Sequence, residues 1–79
     1  MATVPKDTIS PFLRRLGARI RTLRDKQDMS QADLSKASGV SRMYLSRIER
    51  GISNFTVVQL ERIAKGLKLG SPASLFEDR

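Results

Sequence analysis

Arg42, Met43, Ser46, Arg47 and Arg50, in the stretch SRMYLSRIERG, are the side chains of this sequence best suited to chemistry. Read as a helix, the stretch puts Met43, Arg47 and Arg50 within about 60° of one another, with Arg42 and Ser46 on one flank. Leu45 and Ile48 fall on the other side. A guanidinium can pair bidentately with guanine O6 and N7, and a methionine offers an apolar surface to a thymine methyl. A solvated face would account for the arginines alone. It does not account for Met43, which lies on the polar face away from Leu45 and Ile48. Tyr44 falls beside Ile48 and is expected to be half-buried, its hydroxyl free to reach a phosphate. A purely structural tyrosine fits the position as well.

The elements that must position this face run from Ser30 to Gly51, SQADLSKASGVSRMYLSRIERG. Ser30 is an N-cap candidate with Asp33 three residues on, and Met29 can staple to Leu34. Gly39 breaks the helix where a positive φ is needed. The punctuation then repeats, with Ser41 as cap, Val40 and Leu45 as staple and Gly51 as stop. Leu34, Ala37, Val40, Leu45 and Ile48 are expected inside. Two short helices around a glycine turn, the second with a basic outer face, form a helix-turn-helix pattern. The N-terminal end of its second helix, Arg42 and Met43, is the end that reaches base edges. Gln31 stands at the first position of the first helix, where helix polarity favours a phosphate. Ser41, at the mouth of the second, is a further phosphate candidate.

The sequence resembles the phage-repressor and Cro-like (XRE) DNA-binding family over residues 16–76. The wider frame is LGARIRTLR before the motif and NFTVVQLERIAKGL after it. Within that family it looks closest to the controller proteins of restriction-modification systems. The family often has Ala where Ser35 stands. The resemblance implies an all-α, compact five-helix bundle of the lambda-repressor-like type with a central helix-turn-helix. It implies that Gln31 both contacts phosphate and braces the recognition helix. It also implies that Arg24 pairs with Glu49, tying the first helix to the recognition helix. Arg24 sits on the flank of an apolar stripe, where a guanidinium needs a partner.

Composition narrows the function. The 79 residues carry a formal charge of +7, with no cysteine and no histidine. Disulfides, thiolate or imidazole metal sites and Cys- or His-based catalysis are thereby excluded. A small domain this basic suits a polyanion, nucleic acid before anionic membrane. No apolar run approaches the ~20 residues of a membrane span, and no signal peptide is visible. The carboxylates Asp7, Asp25, Asp28, Asp33, Glu49, Glu61, Glu77 and Asp78 form no cluster in sequence that a metal-dependent nuclease would need. No enzyme, cofactor or metal is expected, and the expected location is cytoplasmic, with the nucleoid. RNA binding lacks its stacking residues, since Tyr44 alone could serve as a platform.

In chain order, residues 1–9 read as a flexible arm and residues 10–79 as the DNA-binding domain. Ser10-Pro11 starts a helix to about Gln27, with Leu13, Leu16, Ile20 and Leu23 on one face. After the motif, the loop offers Ser53, Asn54 and free backbone N–H groups for phosphate contacts that fix register. A plain connecting loop is the alternative. Thr56 and Gln59 form a capping box and Phe55 staples to Leu60. Val57, Leu60, Ile63, Ala64 and Leu67 then share a face. Ser71-Pro72 opens a last short helix through about Phe76, and no sheet is expected.

Residues 67–79 are read as a dimerisation segment. One short helix cannot turn Leu69, Ala73, Leu75 and Phe76 all inward, and the surplus should form a self-complementary patch. A symmetric dimer also doubles the sequence read and the phosphates contacted. The expected function is a sequence-specific regulator on double-stranded DNA, acting as a dimer on a near-palindrome. An antitoxin that binds a toxin and its own promoter is the alternative on the same fold. RNA polymerase enters as a partner only through Asp33, a lone exposed acid at a first helical turn.

Overall fold

The computed structural model describes residues 11–52, 54 and 56–76. Four α-helices run in order: α1 Pro11–Lys26, α2 Gln31–Ser38, α3 Arg42–Glu49 and α4 Val57–Gly66. A 3-10 helix, Pro72–Phe76, is the last described element, and no strand occurs among the described residues. The expected five-helix bundle is therefore four α-helices and a single tight turn. The last segment must turn only Leu75 inward, and an i→i+3 bond from Ser74 N–H to the Ser71 carbonyl (3.0 Å) is enough for that. The arm at residues 1–9, the Ser10 cap, Ser53 and Phe55 with its staple lie outside the described residues.

Local chemistry sets the helix starts. Ser30 and Asp33 form a reciprocal capping box on α2, and Thr56 and Gln59 form another on α4. The Ser30 backbone N–H, and then its hydroxyl, hold the Asp33 carboxyl below the usual carboxylate range. The Ser41 hydroxyl accepts from Tyr44 N–H (3.1 Å) to cap α3.

The helix ends share a device only partly visible in sequence. Asp28, Gly51 and Lys68 each stand at positive φ after α1, α3 and α4. Met29, Ile52 and Leu69 N–H then reach back to the carbonyls of Arg24, Arg47 and Ala64 (3.0, 3.1 and 2.9 Å). This is the Schellman closure. Gly39, also at positive φ, ends α2 with its N–H on the Ser35 carbonyl. Gly39 and Gly51 are the stops the sequence announces. Asp28 and Lys68 do the same work without glycine, so they give no such signal.

The core is Leu16, Ile20, Leu34, Val40, Leu45, Ile48, Leu60, Ile63, Ala64, Leu67 and Leu75, with Leu23, Met29, Tyr44 and Leu69 packed half-buried against it. At about 25 cal/mol per Å² of apolar surface removed from water, such a cluster supplies the main driving force for folding. Two expected core residues are outside. Ala37 is exposed because α2 turns Leu34 and Ser38 inward, and a residue between them in the turn falls on the flank. Val57 is 72% exposed. It is the first residue of α4 and overshoots the layer in which Leu60, Ile63, Ala64 and Leu67 pack.

Candidate nucleic-acid interface

α3 presents the face its sequence implied. Leu45 and Ile48 are buried, while Arg42, Met43, Arg47 and Arg50 are exposed and Ser46 is half-buried. Met43 is 69% exposed, so it is no core filler. The guanidiniums at both ends of the helix and the thioether between them are brought to one surface.

That surface is held from three sides. Arg24 of α1 donates from Nε to Glu49 Oε2 (2.8 Å) and from Nη2 to Oε1 (2.9 Å). Its Nη1 donates to the Met29 carbonyl (2.7 Å). The Glu49 side chain is 4% exposed and that of Arg24 is 11% exposed. The hydrogen bond to Glu49 pushes the Arg24 pKa up, against the opposing effect of burial. Gln31 at the start of α2 donates to the same Oε1 (3.2 Å). The paired Arg24 and Glu49 and the bracing Gln31 thus form one network. A carboxylate at the last turn of α3 gathers α1 and α2.

The turn between α2 and α3 is pinned separately. The Ser35 hydroxyl donates to the Val40 carbonyl (2.6 Å), and the Ser38 hydroxyl accepts from Val40 N–H (3.1 Å). An alanine at position 35 would lack the first bond. On the far side the Tyr44 hydroxyl meets the Asn54 carbonyl and Gln59 Oε1, the latter at 2.7 Å. The hydroxyl expected to be free for a phosphate is therefore engaged inside the protein. Tyr44 ties the recognition helix to the following loop and to α4.

Gly17 completes the mounting and was not singled out from sequence. A Cβ there would lie 2.2 Å from the Ile48 carbonyl oxygen and 2.7 Å from that of Glu49. α1 therefore rests directly on the backbone of the last turn of α3. A glycine inside an amphipathic helix pattern is itself a sign of close packing, and that was the signal available.

The loop after α3 differs from expectation in one respect. Gly51 and Ile52 N–H are bonded to the carbonyls of Ile48 and Arg47, so these two donors are taken. Asn54 is exposed, and its carbonyl faces Tyr44. Ser41 is exposed, with its hydroxyl in the cap.

The C-terminal patch also differs. Leu75 is 1% exposed and belongs to the monomer core, which removes it from any dimer interface. Leu69 is half-buried and Ala73 exposed. Phe76 is 47% exposed and stacks on Phe12 of α1, with ring centroids 5.5 Å apart and planes 11° from parallel.

This framework recurs in known proteins. A helix-turn-helix family model matches residues 20–74. The restriction-modification controller protein C.AhdI from Aeromonas hydrophila superposes with a TM-score of 0.78 at 36% identity, over 81% of this chain and 96% of that one. The controller C.Esp1396I, in a tetramer with its natural 35 base-pair operator, gives a TM-score of 0.77 at 37% identity, over 85% of this chain and 87% of that one. The control protein C.MunI of a Mycoplasma species is 37% identical over 65 residues, 81% of this chain and 86% of its own. Longer regulators match as well. This chain spans 43% of an uncharacterised HTH-type regulator of Sinorhizobium fredii, at 38% identity over 63 residues. No described helix is long and apolar enough to cross a membrane. With α2 and α3 set at a glycine turn and the same backbone found in the controllers, this chain belongs to the XRE-type helix-turn-helix family, with restriction-modification controller proteins among its near relatives.

Proposed function

We propose that this protein is a sequence-specific regulator of transcription that binds double-stranded DNA as a dimer, in the manner of a restriction-modification controller. The observation that carries this reading is α3. A basic helix is fixed in its last turn by Glu49 and in its first by Tyr44, with Arg42, Met43, Ser46 and Arg47 proposed to face base edges. Gln31, Ser41, Arg50, Ser53 and Asn54 are the proposed backbone contacts. Its relatives are regulators, and the reading requires no catalysis. The protein acts by occupying its site, so activation or repression follows from where that site lies relative to a promoter.

Arg42→Ala is expected to weaken binding to the specific site by about 1–3 kcal/mol and to relax preference at one base pair. Footprinting and titration on the DNA upstream of its own gene would measure both. Equal losses on the site and on random DNA would show that Arg42 contacts only phosphate.

The dimer is proposed to form through Leu69, Ala73 and Phe76, together with Phe12, which stacks on Phe76. Recognition helices in such a dimer should stand about 34 Å apart, one turn of DNA. Sedimentation across a concentration series should show wild-type protein dimerising and Phe76→Asp and Ala73→Asp dissociating at least about tenfold more readily, since a charge brought into an apolar contact must be desolvated. A wild type that is monomeric even on DNA would reject the dimer. Two charged variants that both dimerise normally would move the interface elsewhere.

A further inference from the structure

We propose that Arg14, on α1 and outside the helix-turn-helix, is a phosphate clamp lying over the turn that ends the recognition helix. The inference rests on the DNA-binding reading above.

The placement comes from Gly51. That residue is buried and at positive φ, and a Cβ on it would lie 2.9 Å from Arg14 Cα and 3.0 Å from Arg14 Cγ. The stem of Arg14 therefore crosses the α3–α4 turn, where the chain leaves the groove-facing helix. The backbone donors that could greet a phosphate at this spot, Gly51 and Ile52 N–H, are bonded within the protein. A phosphate here must be met by side chains.

The charge distribution agrees. Arg14 is exposed, and no carboxylate among the described residues pairs with it. α1 has no acidic residue in its first turn, whereas its last turn holds Asp25 beside Arg21 and Arg24. Among the described residues, the unbalanced end is the one resting on Gly51. Arg47 and Arg50 stand in and just after the last turn of α3, also exposed, and no carboxylate among the described residues pairs with them. Three exposed arginines from two helices thus lie on or within about a turn of Gly51, and no ion pair among the described residues involves them. Like charges so arranged repel, and a phosphate strand relieves that repulsion. The planar fork of arginine suits phosphate oxygens. The contact is with the sugar-phosphate strand and carries no sequence information.

The test is a salt series. Binding of wild type, Arg14→Gln, Arg14→Lys and the α4 control Arg62→Gln is followed by fluorescence anisotropy on two duplexes of equal length, one from upstream of its own gene and one of random sequence. Each phosphate neutralised contributes about 0.9 to the slope of log K against log salt. Arg14→Gln should therefore lower the slope by about 0.9, so that its affinity falls roughly 3.5-fold less than wild type between about 50 and 200 mM salt. The change should be equal on both duplexes, with wild-type melting temperature, and Arg14→Lys should restore the slope. Arg62→Gln should leave it unchanged. A wild-type slope in Arg14→Gln, with the wild type itself binding in a salt-dependent way, overturns the clamp and spares the DNA-binding reading. A wild type that binds neither duplex overturns both.

Discussion

Glu49→Ala is expected to destabilise the fold by up to about 3–5 kcal/mol, the range for breaking a fully buried ion pair from one side, and by less to the extent that solvent reaches the part-buried Arg24. The charge left behind is the reason. Arg24 is 11% exposed at its side chain and would lose two of its hydrogen bonds at once, keeping the Met29 carbonyl and the exposed Asp25 carboxylate at 3.5 Å. Gln31 would lose its acceptor as well. A domain of this size has a total stability of only about 4–12 kcal/mol, so the variant should be partly unfolded at moderate temperature. Glu61→Ala is the control, because Glu61 is exposed on α4 and no ion pair among the described residues involves it. Urea denaturation would compare the two. The double variant Arg24→Met with Glu49→Leu should recover much of the loss, since an apolar pair leaves no stranded charge. Equal denaturation midpoints for Glu49→Ala and Glu61→Ala would remove the tether from the account.

Gly17→Ala should destabilise by about 3 kcal/mol, at the upper end of the cost of overpacking. Helix propensity alone gives the opposite sign, a gain of about 1 kcal/mol for Gly→Ala inside a helix. Sterics decide, because a Cβ would sit 2.2 Å from the Ile48 carbonyl oxygen, where a carbon–oxygen contact needs about 3.3 Å or more. The obstacle is backbone and cannot rotate away. α1 would have to lift off α3 by about an ångström, carrying Arg24 away from Glu49. DNA binding should fall with stability, since the contact is with the last turn of the recognition helix. Gly66→Ala provides the contrast. Its nearest atom, at 2.9 Å, is the end of the Leu34 side chain, and its nearest backbone atom, Ser38 N, lies at 3.2 Å, against 2.2 Å for the Ile48 carbonyl oxygen at Gly17. Gly66→Ala should therefore cost clearly less than Gly17→Ala. If both behave alike in thermal melting, or if Gly17→Ala stabilises, the close approach of α1 to α3 is wrong.

The features legible in sequence were the local ones. Capping boxes at Ser30 and Thr56, stops at Gly39 and Gly51, and the apolar faces of α1 and α3 are each set by residues within a turn or two of one another. The basic face of α3 was legible for the same reason. Leu45 and Ile48 need burial, and helical geometry then leaves Arg42, Met43, Arg47 and Arg50 outside. The Arg24–Glu49 pair spans 25 residues, and it was resemblance to a family together with the flank position of Arg24 that brought the two together.

What the tertiary structure decided concerns neighbours distant in sequence, where helical periodicity says nothing. Whether Leu75 joins the core or a dimer patch depends on the space left beneath α4, not on its own segment. Phe76 turns outward as Leu75 turns inward, and it meets Phe12 from the other end of the chain. The Tyr44 hydroxyl goes to Asn54 and Gln59 because α4 returns close to α3. Gly17 and Arg14 acquire their roles only because α1 crosses α3 at backbone distance, on Ile48 and Glu49 in one case and on Gly51 in the other. Side-chain periodicity assigns a residue to a face. The atom it finally touches depends on how closely two helices approach, and here that distance is set by glycines and by the volume of the shared core.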